Sequence, residues 1–282
     1  MNKKSKLPII LCIAIALIGL GLVFYKPIMT KFIIPKMHDH ISKVAKDTSA
    51  STYGKNQKEL NQLLKNGLKS SNIEYNPNNF SQNMDDFNNG IANGLSNNGS
   101  GKSGSSGNSK NTPNVSFDYS KIKPASETDL NTINPNYDKR LLIGHVALPS
   151  LGIDLPIIEG VADANLYVGA CTLKPFQQMG KGNYALASHH MPDEYSNFSR
   201  IGQLQKGSMI LLGNGRKVYE YRTSRVEVMP INSGQVIDDV KGDKLVTLVT
   251  CTDTRGTARI VVQGKFVKTH KMSSKYGQYF HN

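Results

Sequence analysis

No Cys-x-x-Cys spacing occurs anywhere in the chain, whose 282 residues hold only three cysteines, at positions 12, 171 and 251. That argues against the paired-thiol pattern of a structural zinc site. Cys12 lies in an apolar stretch, which leaves Cys171 and Cys251 as the two able to bridge in principle. Acidic side chains are few: 21 Asp and Glu stand against 34 Lys and Arg, for a formal charge of +13. Such a charge suits nucleic acid, an anionic membrane surface or an anionic wall polymer. Nucleic acid is not an expected partner, because no recognition motif is present and the basic residues are spread rather than gathered in one stripe. Gly101-Lys102-Ser103 lacks both the preceding strand and the full spacing of a phosphate loop. Apolar residues are themselves sparse over much of the N-terminal half, so the composition there does not promise a core.

What is present at the N-terminus is a short basic tail, residues 1–6, carrying Lys3, Lys4 and Lys6. Residues 7–25 follow without a charge. At about 1.5 Å rise per residue such a run spans close to 30 Å, enough to cross a bilayer. A cleaved signal peptide is the alternative, but Tyr25-Lys26-Pro27 is a poor small-residue cleavage site. We read 7–25 as a single-pass anchor, with the tail inside the cell and membrane lipid as its partner. Positive charges flank both sides, so this orientation rests also on the shortness of the tail.

Residues 26–70 form a basic juxtamembrane segment in which Leu60, Leu63, Leu64 and Leu68 have helical spacing, predicting a short surface helix over 56–68. Residues 71–115 are rich in Asn, Ser and Gly, most strongly over 99–107. Their few apolar side chains do not offset chain entropy, so this stretch is expected to be a disordered linker. A flexible coil of that length has a root-mean-square span of roughly 35–40 Å. The folded domain is expected over 116–270, with a short helix within 117–133 and a polar C-terminal tail over 271–282.

From residue 140 onward short apolar runs alternate with turns. Candidate strands are 141–148, 153–158, 184–188, 208–212, 218–228, 244–251 and 259–267, with Gly213-Asn214-Gly215 as a hairpin turn. Seven or eight short strands with little helix predict an all-β barrel or sandwich. One run dominates: Leu245-Val246-Thr247-Leu248-Val249-Thr250 is apolar and β-branched, ends in Cys251, and meets a turn at once. A hairpin centred near Arg255 makes Cys251 and Arg259 cross-strand neighbours. A second short strand, Tyr184-Ala185-Leu186-Ala187-Ser188, ends in His189 and His190. A thiol, an imidazole and a guanidinium at strand ends are the parts an activated cysteine nucleophile needs. On that reading Cys251 is not available for a disulfide, and both Cys171 and Cys251 are free thiols.

Thr247-Leu248-Val249-Thr250-Cys251 followed by Arg259 resembles the TLxTC…R signature of sortases, the cysteine transpeptidases of Gram-positive cell surfaces. Ala187-Ser188-His189-His190 resembles their catalytic-histidine segment, and the likeness extends over 141–149, 169–175 and 263–265. Class A is the subgroup it is most similar to. The resemblance implies an eight-stranded sortase-type β-barrel with short helices in its connections, preceded by the transmembrane helix and the linker. It implies cleavage of surface proteins at a sorting motif of the LPxTG kind, then transfer to a peptidoglycan precursor amine outside the cell membrane. It departs at Cys171, where family members commonly carry Gly.

In that chemistry Cys251 attacks the Thr carbonyl and holds the chain as a thioester, which an amine then releases. One histidine serves as acid and then base. Neighbours on a strand face opposite ways, so only one of the pair can reach Cys251; the family pattern selects His189 and leaves His190 as a structural or substrate-side neighbour. Arg259 offers a permanent cation to the substrate backbone or to the oxyanion. Thr250 is a candidate for a supporting hydrogen bond. No cofactor is expected, no metal ligands are assigned, and Asp193, Glu194, Asp238 and Asp239 do not make a decisive calcium site. Two other readings stand beside this one: a thiol hydrolase on the same scaffold, and a non-catalytic surface adhesion module.

Overall fold

The computed structural model of the chain describes residues 7–28, 48–97, 113, 115–125, 138–193 and 195–280. Eight strands close into one barrel in the order β1-β2-β3-β4-β7-β8-β6-β5. They are β1 (Leu142–Leu148), β2 (Ile153–Ile158), β3 (Ala170–Thr172), β4 (Asn183–Ala187), β5 (Met209–Gly213), β6 (Lys217–Met229), β7 (Leu245–Cys251) and β8 (Arg259–Lys271). Seven fall on or within a few residues of the predicted runs. The eighth, β3, is too short to show a period.

Two neighbouring pairs, β2/β3 and β4/β7, are parallel. A parallel pair needs a crossover. The one between β2 and β3 is made by a short helix, Asp163–Val168. β7 lies between β4 and β8, and its Leu245, Val246 and Leu248 are buried. Its two buried hydroxyls are both paired: Thr247 donates to Asn183 Oδ1 at 2.7 Å and accepts from Gln263 Nε2 at 3.0 Å, and Thr250 donates to the Ser188 carbonyl at 2.9 Å.

Helices precede the barrel. We number them α1 (Leu7–Ile28), α2 (Ala50–Ser71) and α3 (Met84–Asn97), with α4 the crossover helix and α5 (Ser274–Gly277) at the C-terminus. Over 10–21 the side chains of α1 face away from the rest of the protein, Ile10, Leu17 and Ile18 each being more than 60% exposed. Among the described residues no helix is long and apolar enough to cross a membrane.

The expected disordered linker is corrected over 71–97. Ser49 caps α2 by accepting from the Thr52 N–H, and Asn72 ends it in a left-handed conformation. α2 buries Tyr53, Asn56, Leu60, Leu64, Gly67 and Leu68, a stripe at helical spacing. It is therefore longer and far less superficial than the predicted surface helix. Gly67 lets α3 approach closely, since a Cβ there would lie 3.1 Å from Ile91 Cδ1. Between the two helices and the barrel sits a cluster of Tyr75, Phe80, Phe87, Phe117 and Phe176, with ring centroids 5.3 to 6.4 Å apart. Four of these rings come from sequence that reads as polar linker or its border. Composition averages over such a stretch, but a few large aromatic side chains bury enough area to order it against an existing sheet.

The polar tail is corrected as well. β8 runs on to Lys271, and Phe280 is buried against Ala147, Leu211 and Val218. His270 pairs with Glu220 at 2.8 Å rather than lying in solvent. The expected tail 1–6, the Gly/Ser run 99–107 and residues 126–133 of the stretch predicted to hold a short helix lie outside the described residues.

Candidate active site

β4 and β7 run side by side with a constant offset, from Asn183↔Leu245 to Ala187↔Val249. Carried two residues further, that offset brings His189 level with Cys251. On its other side Cys251 is the direct antiparallel partner of Arg259. The three sequence-chosen side chains are thus delivered by three adjacent strands at one end of the barrel, and all three line one cleft of about 630 Å³.

Hydrogen bonds hold these strand ends in register. Thr250 Oγ1 donates to the Ser188 carbonyl at 2.9 Å, and the Ser188 N–H donates to the Val249 carbonyl at 3.2 Å. Thr250 therefore tethers the residue before His189 to the residue before Cys251. Ser188 Oγ donates to the Gly169 carbonyl at 2.7 Å, fixing the same segment to the end of α4. His189 is 3% exposed. His190 pairs with Asn197 in an isolated bridge, and its Nδ1 is buried without a hydrogen-bond partner among the described residues. His190 does not line the cleft.

Cys251 is half-buried, and burial pushes its thiol up; the Arg259 guanidinium opposes this and Asp253 adds to it. Desolvation penalises the thiolate more than one neighbouring cation favours it. Burial therefore disfavours the thiolate at Cys251. One nitrogen of the Arg259 fork, Nη1, donates to the Gly256 carbonyl at 3.0 Å and the Ala258 carbonyl at 3.2 Å. Those bonds anchor the guanidinium to the turn between β7 and β8.

Cys171 is free but fully buried in β3, and burial holds its thiol well above the ordinary range. It belongs to the hydrophobic core and does not line the cleft. Asp238 accepts from Ser81 and Asp239 pairs with buried Lys174 at 2.5 Å. Among the described residues no three His, Cys, Asp or Glu converge as metal ligands.

The cleft has walls that the sequence reading missed. Pro230, Ile231, Val236 and Ile237 line it from the β6–β7 connection, and Ser81, Met84, Tyr119, Ile122 and Pro124 line it from the N-terminal arm. Pro124 reaches the turn between β7 and β8, because a Cβ on Gly256 (φ +72°) would lie 2.5 Å from its Cγ. A signal was there to be found: Val115, Phe117 and Tyr119 alternate with polar residues, the pattern of a half-buried extended segment.

Residues 146–267 match the family described as the sortase domain. Sortase A of Listeria monocytogenes is 37% identical over 166 residues, covering 58% of this chain and 74% of that protein. Sortase A of Bacillus anthracis is 38% identical over 154 residues, covering 54% and 71%. Among solved structures, sortase C-3 from Streptococcus pneumoniae superposes with a TM-score of 0.50, covering 87% of this chain and 96% of that one. At 17% identity that last likeness speaks for the fold alone.

Proposed function

The chain belongs to the sortase family of cysteine transpeptidases, and on that premise we propose that Cys251, His189 and Arg259 carry out transfer of an LPxTG-type surface protein to a peptidoglycan precursor amine. The observation that supports this reading most is the common level of three strand ends, with Cys251 opposite Arg259 and beside the continuation of β4.

Cys251 Sγ attacks the Thr carbonyl carbon of the sorting motif as its proton passes to His189. The C–N bond then breaks, and the same proton goes from the imidazolium to the departing glycine nitrogen, leaving a thioester. An incoming amine attacks that carbonyl, gives a proton to His189, and expels the Cys251 thiolate, which recovers a proton. Arg259 donates toward the oxygen on which negative charge develops, or holds the substrate backbone beside it. Thr250 serves by keeping the histidine-bearing segment on the nucleophile strand.

Residues 7–25 are proposed as the membrane anchor, with the N-terminus cytoplasmic and the barrel outside. Full-length protein incubated with a Leu-Pro-x-Thr-Gly peptide and an amine tests the reaction by mass spectrometry. The expected product is the amide of the cleaved peptide. Cleavage whose rate and product ignore the amine would instead make the protein a hydrolase.

A further inference from the structure

We propose that Tyr167 is a positioning residue for His189, whose ring orients the imidazole and stabilises its protonated form. This rests on the reading of His189 as the proton carrier. The two ring centroids are 4.3 Å apart with planes inclined by 52°. His189 lines the cleft, whereas Tyr167, 5% exposed, lies behind it. The tyrosine thus touches the imidazole without standing where substrate binds.

The contact is built rather than incidental. Asn197 Nδ2 donates to the Leu166 carbonyl at 2.8 Å and to the Tyr167 carbonyl at 3.2 Å. The His189 N–H donates to the Leu166 carbonyl at 3.5 Å, and the Phe198 N–H donates to the His189 carbonyl at 3.3 Å. The end of α4 is therefore sewn to the histidine segment from both sides. Asn197 does this from a left-handed backbone, φ 53°, a conformation asparagine adopts more readily than most residues.

An aromatic face carries negative charge density and attracts a cation held within about 6 Å of its centre. The attraction is stronger for imidazolium than for neutral imidazole, so the ring acts during the interval when His189 holds the Cys251 proton. Among the described residues, the other titratable or charged groups lining the cleft are Cys251 from β7, Arg259 from β8 and Tyr119 from the arm. His190 and Asp193 follow on His189's own segment.

The test is an NMR titration of the His189 imidazole in full-length Cys251→Ala protein, where no thiol titrates with it. Tyr167→Leu should lower the midpoint by about 0.4–1.5 pH units, and Tyr167→Phe, which keeps the ring, should restore it. With Cys251 intact, the limb of the transpeptidation profile set by imidazolium should move down in pH in the Leu variant and not in the Phe variant. An unchanged midpoint in a folded Tyr167→Leu protein overturns the proposal, and so does a Phe variant that behaves like Leu. Transpeptidation surviving His189→Ala overturns the underlying reading instead, an outcome the titration cannot produce.

Discussion

The barrel and the N-terminal arm reach order by different routes. In the barrel, β7 is a continuous apolar, β-branched run paired on both sides, and its two buried hydroxyls are satisfied. Each residue agrees locally with the element it forms. The arm, residues 48–97 and 115–125, is mostly polar, and its order depends on a few rings meeting a surface made by something else. Phe80, Phe87 and Phe117 each touch another aromatic, and Asn56 donates to the carbonyls of Lys139 and Leu142. The lesson is that poor composition argues against an independent core, not against docking.

This contrast can be broken at four points, in descending order of effect. Cys251→Ala should abolish both thioester and product, and His189→Ala should do nearly the same. Product formed without Cys251 would remove the chemistry from the barrel end altogether. Arg259→Lys keeps the charge but loses the planar fork, so turnover should fall by about 10²–10³ with the circular dichroism spectrum intact. A lysine variant within about twofold of wild type would reduce Arg259 to a background charge.

The third point is the joint between the regions. Asn56→Ala removes the amide that donates to the Leu142 carbonyl of β1 and to the Lys139 carbonyl, which keeps the Leu142 N–H, and should weaken the docking of α2 by about 1–3 kcal/mol. Hydrogen exchange should then rise in α2 and α3 while β7 stays protected. Equal loss of protection in β7 would mean that arm and barrel unfold as one unit.

The smallest effect concerns Glu159, buried at the end of β2, whose carboxyl burial pushes up to about 8. Between its ordinary value and about pH 8 it is protonated in the fold and ionised in the unfolded chain. The folded state binds more protons across that window, so stability is greatest on its acid side and falls as pH rises through it. Glu159→Gln should flatten that decline in denaturant midpoints measured from pH 5 to 8. An unchanged slope would show that the side chain reaches water.

Much of the proposed site was legible because its parts lie in short continuous motifs. The run to Cys251, the histidine pair after Ala187 and the spacing to Arg259 each appear as neighbours in sequence. The Cys251–Arg259 partnership followed from turn arithmetic and is the observed register. What stayed hidden were relations between distant segments. Tyr167 shows no periodic or motif signal of its significance, since its value lies in a 4.3 Å contact across 22 positions of chain. Pro124 carries no motif in the sequence, and its place is seen only where Gly256 lies against it.

The sequence by itself determined the strand that ends in Cys251, the all-β class and the family, because strand propensity, turn chemistry and motif spacing are local properties. Only the tertiary structure decided that the arm walls the cleft, that Thr250 braces the histidine segment and that burial disfavours the Cys251 thiolate. Those outcomes depend on which surfaces exclude water together. Desolvation and docking are sums over neighbours that no single stretch of chain contains.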